Sequence, residues 1–403
     1  MAKGSVKLDE KTGLYYFVVD VGKDGIRKQK KKRGFKRQKD AYAAMTEVLN
    51  QANKGEYIEP SKIKFIDYML DVWIVEKEQN KHISRLTAES YRSTIINHIS
   101  PFFKDKALGE VNSNDIKKFV SYIRQKKTKK NKEFAESYVQ RIFDIVVYSL
   151  NYAVKGESIK VNPTNKIDRP KRIKRKLSIW TVEQIQSFLD SLKDSRHYIV
   201  FYLAIHTGMR KGEILGLPWR NVDYKNKCIM VTQTLERDGK RIKQGAKTSS
   251  GVRLLDISDD VVEVLKKQHE KIKLEKELAG DMYIDNDLVC CTDIGNPILS
   301  TNLFKIMKKK IGKLGLPYIR FHDLRHTSAS LMLSIGIHPK VVSERLGHSS
   351  VVLTLDTYSH LLKSIQSDAA AGLSNLLNKN NETELVEIDE EFRDQKRDQK
   401  NEV

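Results

Sequence analysis

Strand-like and helix-like patterns follow one another near the start of the chain. Apolar and β-branched residues fill 14–21, and Asp24-Gly25 supplies a turn before a second extended run. A helical spacing follows and stops near Gly55. It is formed by Tyr42, Met45, Leu49 and Ala52. The patterns predict strands followed by a helix, in a small module of residues 1–57.

Helical periodicity alone accounts for residues 61–165. One apolar stripe follows the cap-like pair Asn112-Ser113, and a second begins after Thr87. The stripes are Ile116, Phe119, Val120 and Ile123, and then Tyr91, Ile95, Ile96 and Ile99. Apolar residues at this spacing predict helices that pack into a core, so we assign no chemistry to them.

A break in the pattern separates these helices from the rest of the chain. Pro163 and Pro170 precede a dense basic run, and both features oppose packing, which predicts a linker at 166–177. A second unit at 178–378 opens with a capping-box pattern at 181–184. Helices are predicted from residue 258 onward, and strands at 227–234, 240–246 and 252–256.

The fold class expected from these elements is α+β and multidomain. It comprises a small N-terminal sheet with its helix, an all-helical unit, and a mainly helical unit with a small β-sheet. The segment 379–403 differs in character, since residues 382–403 hold nine acidic side chains against four basic ones. That composition predicts a mobile or partner-dependent tail.

The charge balance indicates the kind of partner. Lysine and arginine total 73 against 52 acidic residues, a net charge of +21, which favours a polyanion over small acidic molecules. Residues 1–40 carry a local +8, and a sheet face with that charge could enter the major groove of DNA, a solvated basic tail being the alternative. The candidate DNA-binding residues are Arg27, Lys28, Lys30, Lys32, Arg33, Lys171, Arg172, Lys174 and Arg175.

Neither a membrane span nor a secretory leader is predicted. No stretch approaches the roughly 18 to 20 consecutive apolar residues of a span, and the first residues lack the apolar core of a signal peptide. We therefore expect a cytoplasmic protein. Cys228, Cys290 and Cys291 are expected to be reduced, because the adjacent pair suits neither a disulfide framework nor a metal knuckle.

Two of five local signals in the second unit are a helix start and a turn. Arg210 follows a glycine that breaks an apolar helix, and it stands where the next helix begins, a position that favours an anion. Glu213 lies one turn further and could brace it. Lys247 precedes a glycine-containing turn that would present it at a hairpin tip, with Lys243 as a nearby substitute. A surface arginine and a solubilising lysine are the ordinary alternatives.

The third signal, His-Asp-Leu-Arg-His-Thr at 322–327, begins an apolar helix. His322 and His326 are four residues apart and could bind zinc, but Asp323 stands where HExxH has a glutamate, and Arg325 would face the cation. The alternative uses His322 and Arg325 on one helix face, as a proton carrier beside a bidentate guanidinium for phosphate. We therefore predict no metal site.

His348 and Tyr358 complete a set of side chains that could cleave a phosphodiester by nucleophilic substitution at phosphorus, without a metal. Charge builds up on the phosphate oxygens, so two fixed arginines are needed. A tyrosine is a weak nucleophile while its phenol is protonated, at a pKa of about 10, so a neighbouring histidine should take or share that proton. The leaving 5′ hydroxyl needs a proton, which assigns Lys247 as general acid. A phosphotyrosine link would conserve the bond energy, and no P-loop sequence occurs, so no cofactor is expected.

The strings that carry these residues resemble, in order, the boxes of the tyrosine recombinases of the phage integrase family. They are TGMRKGEILGL, HDLRHT, LGH and TLDTYSH. The resemblance covers about 61–378, and residues 1–57 resemble the three-stranded arm-binding module of integrases from temperate phages and conjugative transposons. The site roles that it implies are phosphate clamps at Arg210 and Arg325, general acid at Lys247, general base or tyrosine partner at His322, a further phosphate donor at His348, the nucleophile at Tyr358 and a supporting acid at Glu213.

The resemblance also implies how such an enzyme would act. It implies site-specific DNA integration, and probable excision, of a mobile element such as a prophage, within the nucleoid of a bacterial host. The arm-type sites would bind 1–57, the core-type sites 61–165, and 178–378 would be catalytic. The implied partners are double-stranded DNA and three further copies in a homotetramer, with a host DNA-bending protein and an excision factor left open. A type IB-like topoisomerase, a telomere resolvase and a non-catalytic DNA-binding regulator are the alternatives.

Overall fold

The computed structural model describes most of the chain and divides it into two compact units, residues 1–175 and 176–403. The described residues are 4–22, 28–54, 57–59, 61–128, 131–171, 178–236, 238–245, 251–352, 354–355, 358, 370–371, 373–374 and 377. Several positions singled out above lie outside the described residues. They are Asp24, Gly25, Arg27, Arg172, Lys174, Arg175, Lys247 and the segment 379–403.

The N-terminal part is a three-stranded antiparallel sheet covered by one helix. The patterns predicted strands followed by a helix, and the family resemblance implied three strands. Its elements are β1 (Gly4–Asp9), β2 (Leu14–Asp20), β3 (Gln29–Phe35) and α1 (Gln38–Asn53). The strand order is β1-β2-β3, and Phe17, Val19 and Met45 are buried between sheet and helix. Tyr42 was predicted to lie in the apolar stripe of the helix, but its side chain is 47% exposed. The buried face of α1 is formed by Ala41 and Met45, and Tyr42 lies outside it.

The rest of the first unit is helical. Its helices are α2 (Phe65–Asp67), α3 (Ile74–Gln79), α4 (Arg85–Thr94), α5 (Ser100–Phe103), α6 (Ser113–Gln125) and α7 (Glu136–Lys155), with π-helical turns at Tyr68–Trp73 and Ile95–Ile99. Asn112 caps α6, since its side chain accepts from the backbone N–H of Asp115 at 3.2 Å. Both predicted stripes enter the core except Ile96, which is 56% exposed. Arg169, in the predicted linker, donates two hydrogen bonds to Asp144 on α7.

The second unit is mainly helical with two small sheets. Its helices are α8 (Val182–Asp190), α9 (Tyr198–Thr207), α10 (Lys211–Leu215), α11 (Asp259–Ala279), α12 (Ser300–Lys313), α13 (Phe321–Ser334) and α14 (Pro339–Leu346). Its strands are β4 (Val222–Asp223), β5 (Cys228–Val231), β6 (Gln233–Leu235), β7 (Ile242–Gln244) and β8 (Arg253–Asp256). Eight of the ten residues of α9 are buried, so this helix is the centre of the core.

The strand pairing corrects the prediction of a hairpin around Lys247. β7 pairs with β6, whereas β8 pairs with β5 in a separate sheet of order β4-β5-β8. β7 and β8, the strands before and after Lys247, are therefore not paired with each other, and Lys247 itself lies outside the described residues. The sequence pattern could not reveal this, because strand partners are chosen by tertiary contacts and not by the order of strands along the chain.

Two further expectations concern the whole chain. Among the described residues, no helix combines the length and apolar character needed to cross a membrane. Cys228, Cys290 and Cys291 are buried free thiols, as the sequence predicted.

Close packing of α10 on β6 gives a stability prediction. A Cβ at Gly216 would lie 2.7 Å from the backbone nitrogen of Leu235, so Gly216→Ala should lower the free energy of unfolding by about 1 to 3 kcal/mol through overpacking. The control is Gly312→Ala in α12, where a Cβ would meet nothing within 4 Å. It should raise the free energy of unfolding by about 0.5 to 1 kcal/mol. Urea unfolding followed by tryptophan fluorescence measures both, and a loss of stability in both variants would contradict the packing described.

Candidate active site

Arg210 is oriented by a left-handed turn and a buried carboxylate. Gly208 ends α9 at φ +66°, a conformation that favours glycine, and Arg210 then caps α10. Glu213 accepts from the backbone N–H of Arg210 at 2.9 Å and from its Nη1 at 2.7 Å. Nη2 donates to the carbonyl of Gly347 at 2.8 Å. The prediction that Glu213 braces Arg210 is therefore confirmed as a contact.

Glu213 has a second arginine partner, which sequence reasoning missed. Arg253 Nη2 donates to its carboxylate at 2.9 Å, and both side chains are under a tenth exposed. Burial alone would raise the pKa of Glu213, but hydrogen bonds and charge from Arg253 and Arg210 hold that pKa below its usual value. The carboxylate is therefore ionised. Arg253 follows the Lys247 segment by only a few residues, which was the available signal.

The start of α13 is fixed by an ion pair that also bears on the zinc alternative. Asp323 accepts from the backbone N–H of Arg320 at 2.7 Å and from its guanidinium at 2.7 and 3.0 Å. Its carboxylate is thus used to cap the helix. Within the described part of the chain, no group of three or more His, Cys, Asp or Glu side chains is arranged to hold a metal.

Arg325 carries the most informative electrostatic feature of the unit. It is 3% exposed, and its Nη1 donates to the carbonyl of Gly208 at 2.8 Å. Its Nη2 is also buried and has no hydrogen-bond partner among the described residues. Burial and the charge of Arg210 lower the pKa of the Arg325 guanidinium to about 9, so it is still protonated at neutral pH. A buried cation with a spare donor beside a second cation is suited to binding an anion.

Tyr358 is bound by a histidine other than the one expected. Its hydroxyl lies 2.7 Å from Nδ1 of His326, and the tyrosine side chain is fully buried. The prediction that His322 is the tyrosine partner is therefore wrong for this structure. His322 lies one turn before His326 on α13, has an exposed side chain and places its ring centroid 5.0 Å from that of His326. The helical turn points the two rings differently, which spacing alone did not resolve.

The protonation states of Tyr358 and His326 suit proton transfer from the hydroxyl to the imidazole. Burial raises the pKa of Tyr358 well above its usual value, and the charge of Arg325 only partly offsets this. Burial lowers the pKa of His326, against an opposing effect from Asp323. At neutral pH the hydroxyl therefore keeps its proton and the imidazole can accept it.

His348 lies near the same cations. Its Nδ1 is 2.8 Å from Oγ1 of Thr354, and its backbone N–H donates to the carbonyl of Ser343 at 3.0 Å. Burial, followed by the charges of Arg325 and Arg210, lowers the pKa of His348 to about 4. A neutral ring with one nitrogen held by a hydroxyl leaves the other nitrogen for a ligand. Of the predicted catalytic residues only Lys247 lies outside the described residues, and Lys243 is an exposed residue of β7.

The register of the N-terminal sheet sorts its basic residues between two faces. Phe17 and Val19 are buried under α1, and their cross-strand partners are Lys32 and Lys30. Cross-strand partners project to the same side of a sheet. Lys30 and Lys32 therefore lie on the side that bears the helix.

The open face carries two of the basic residues of this segment. Lys31 stacks over the ring of Tyr16 at 3.9 Å, and Arg33 lies 6.0 Å from the same ring. Lys28 is instead paired with Glu59 at 2.5 Å. Lys31 and Arg33 are thus the basic pair on this face, while Lys28 already has an anionic partner.

Three family models match the chain in succession. The Arm DNA-binding domain matches residues 5–52, the Phage integrase SAM-like domain matches 64–168, and the Phage integrase family matches 179–364. This chain belongs to the phage integrase family of tyrosine recombinases. The resemblance identified from the sequence is thereby confirmed, and so is the enzyme class, which cleaves and rejoins DNA.

Curated relatives extend along nearly the whole chain. A tyrosine recombinase XerC-like protein of Caldanaerobacter subterraneus is 28% identical over 400 residues, 93% of this chain and 100% of the relative. The ICEBs1 integrase of Bacillus subtilis is 27% identical over 290 residues, 70% of this chain and 76% of the relative. Both phage and transposon integrases occur among the relatives.

Solved structures share the fold. The Tn1549 transposon integrase in complex with transposon right end DNA has a TM-score of 0.62 at 18% identity, covering 76% of this chain and 100% of that one. A lambda integrase dimer bound to a core site has a TM-score of 0.54 at 18% identity, covering 72% and 94%. The α+β multidomain fold class predicted from the sequence is confirmed.

The contact between Tyr358 and His326 gives a prediction with a defined pH dependence. His326→Ala should slow formation of the protein–DNA adduct by about 100-fold or more, the usual contribution of a general base. The base acts in its neutral form and its pKa is lowered. The wild-type rate should therefore hold through neutral pH and fall only as pH drops below the ordinary histidine pKa of about 6.5.

His269→Ala provides the control, because that exposed ring stacks on Trp219 at 4.4 Å and does not contact Tyr358. Its rate and pH profile should match those of the wild type. A wild-type rate in His326→Ala, or an unchanged acidic limb in that variant, would remove His326 from proton transfer.

Proposed function

We propose that this chain performs site-specific cleavage and rejoining of double-stranded DNA through a 3′-phosphotyrosine bond at Tyr358. The observation that carries the proposal is the spare, buried Nη2 of Arg325 in a cluster with Arg210. Two guanidiniums and one unused donor are suited to the non-bridging oxygens of a phosphodiester. The charge of Arg325 also reaches Tyr358.

The proposed step transfers one proton at each end of the displaced bond. The Tyr358 oxygen attacks phosphorus while its proton passes to Nδ1 of His326. The bond from phosphorus to the 5′ oxygen breaks, and that oxygen takes a proton from Lys247 as general acid. Arg210 and Arg325 stabilise the negative charge on the oxygens between them. Reversal with the 5′ hydroxyl of another strand rejoins DNA, since the phosphotyrosine bond retains the energy of the cleaved one.

The two remaining histidines have different proposed roles. His348 keeps one ring nitrogen unused by Thr354, and the charges of Arg325 and Arg210 reach that ring. His322 is exposed at the start of α13, where a substrate can reach it. We therefore assign His348 to a phosphate oxygen and retain His322 as a proton carrier to the same centre.

We further propose separate DNA contacts for separate parts of the chain. Residues 1–57 would bind arm-type sites through the open sheet face, and 61–165 with the basic linker at 166–177 would bind the core-type site beside the catalytic part at 178–378. The Arm DNA-binding domain match at 5–52 supports the arm-site part of this proposal. The DNA-bound structures of the Tn1549 and lambda integrases support the core-site part. Integration and excision of a mobile element, a synaptic homotetramer, and a host DNA-bending protein or excision factor remain proposals of the same kind.

The nucleophile is tested with a nicked attachment-site duplex that traps the covalent intermediate. Wild-type protein should give an adduct that survives denaturing electrophoresis, and Tyr358→Phe should give none while binding the duplex with unchanged affinity. Tyr318→Phe is the control, since Tyr318 is an exposed tyrosine of the same unit. Adduct formation in Tyr358→Phe would disprove the assignment, and relaxation of supercoils without any defined site would favour a topoisomerase.

The arm-site interaction is tested by salt titration of binding to duplex fragments from the ends of the mobile element. The logarithm of the DNA-binding constant falls with the logarithm of salt concentration, and each cation that binds a phosphate adds about one to the steepness of that fall. The double variant Lys31→Ala with Arg33→Ala should therefore reduce the steepness by about two. Core-site cleavage should not change. Lys28→Ala is the control, because Glu59 already pairs with that lysine. An equal change of slope in the control would show that the open face is not the DNA-binding surface.

A further inference from the structure

Arg253 connects three parts of the active site through one buried side chain. Its side chain is 7% exposed. Nε donates to the carbonyl of Arg345 at 2.8 Å, Nη2 to the carboxylate of Glu213 at 2.9 Å, and Nη1 to the carbonyl of Gly251 at 3.3 Å. These acceptors belong to the end of α14, to α10 and to the residues that lead into β8.

The contacts of Arg253 and Arg210 form a closed circuit. Glu213 accepts from both arginines, and the other side of Arg210 donates to the carbonyl of Gly347. Gly347 lies just beyond Arg345, the residue whose carbonyl receives Nε of Arg253. The Arg210 side chain is thus held by Glu213 on one side and by the end of α14 on the other. Arg253 donates hydrogen bonds to both Glu213 and the end of α14.

The charges favour the same view of Arg253. Glu213 is an ionised, buried carboxylate shared by two guanidiniums. With Arg253 present, its negative charge is divided, and Arg210 retains positive charge for an anionic ligand. Without Arg253, the carboxylate would pair with Arg210 alone and neutralise it. A lysine could not replace the fork, because it is a point charge without the planar donor arrangement that reaches three acceptors.

We propose that Arg253 is a positioning residue that keeps Arg210 oriented and charged for the scissile phosphate. The inference rests on the proposed function, in which Arg210 stabilises the charge on the non-bridging oxygens. Arg253 acts through Glu213 and through the end of α14. Its removal should therefore matter most when the phosphate carries a negative charge that Arg210 must neutralise.

The experiment compares two nicked attachment-site duplexes, one with a normal scissile phosphodiester and one with a methylphosphonate there. The methylphosphonate is neutral, so cleavage depends less on the arginines. In the full chain, Arg253→Lys should slow adduct formation by about 100-fold on the phosphodiester, comparable to the removal of one charge-stabilising donor. On the methylphosphonate the decrease relative to wild type should be about threefold or less, with DNA affinity unchanged.

Two reference variants make the result specific. Arg220→Lys is the matched control, because Arg220 pairs with Asp287 at the surface at 2.8 Å, and it should behave as wild type on both duplexes. Arg210→Lys shows how removal of the clamp itself affects the two rates. If Arg210→Lys slows cleavage equally on both duplexes, the proposed function of Arg210 fails, whatever Arg253 does.

If methylphosphonate restores the rate of adduct formation in Arg210→Lys but not in Arg253→Lys, Arg253 supports only the fold, and the inference is overturned. A wild-type rate in Arg253→Lys on the phosphodiester also overturns it. Should Arg253→Lys fail to fold, the single variant Arg253→Gln replaces it, because it removes the guanidinium and leaves the Glu213 carboxylate to pair with Arg210 alone. It should show the same selective rescue by methylphosphonate, and an equal decrease on both duplexes would again reject the proposal.

Discussion

The second unit is organised around a cluster of three arginines, two of which have buried side chains. Arg210, Arg253 and Arg325 lie within reach of one another's charge, and Glu213 is the only carboxylate hydrogen-bonded to any of them among the described residues. Like charges are costly to bury, so such a cluster persists only where carbonyl groups and a single acid hold it. The remaining positive charge is available to an anion that the folded chain does not itself supply.

Arg210 and Arg325 each donate a hydrogen bond to a backbone carbonyl. Both carbonyls belong to glycines in the left-handed conformation. Gly208 and Gly347 have φ of +66° and end α9 and α14. The carbonyl oxygen of Gly208 accepts a hydrogen bond from Arg325, and that of Gly347 accepts one from Arg210. A Cβ at Gly208 would lie 2.6 Å from the side chain of Leu346, so these two helix ends can meet only because the residue is glycine. Helix termination and site geometry are therefore one feature.

Burial sets the protonation state of Tyr358, the proposed nucleophile. Tyr358 belongs to the small apolar cluster of α13 and α14, and this environment keeps the phenol protonated. The same environment keeps His326 neutral, so a donor and an acceptor face each other at 2.7 Å. In the proposed mechanism the proton passes from Tyr358 to His326 as the oxygen attacks, since the hydroxyl is protonated and the imidazole neutral beforehand. The positive charge of Arg325 lowers the pKa of Tyr358 and so opposes part of the effect of burial.

Helical stripes, caps and the strings around Arg210, Arg325 and Tyr358 are local properties. They were therefore sufficient to predict most helices, the family and most of the candidate active-site residues. Only the tertiary structure decided which strands pair, that His326 and not His322 meets Tyr358, and that Arg253 shares Glu213 with Arg210. These are contacts between residues distant in the chain, or choices between rings one helical turn apart. Periodicity gives the face on which a side chain lies, whereas packing against other elements selects its partner.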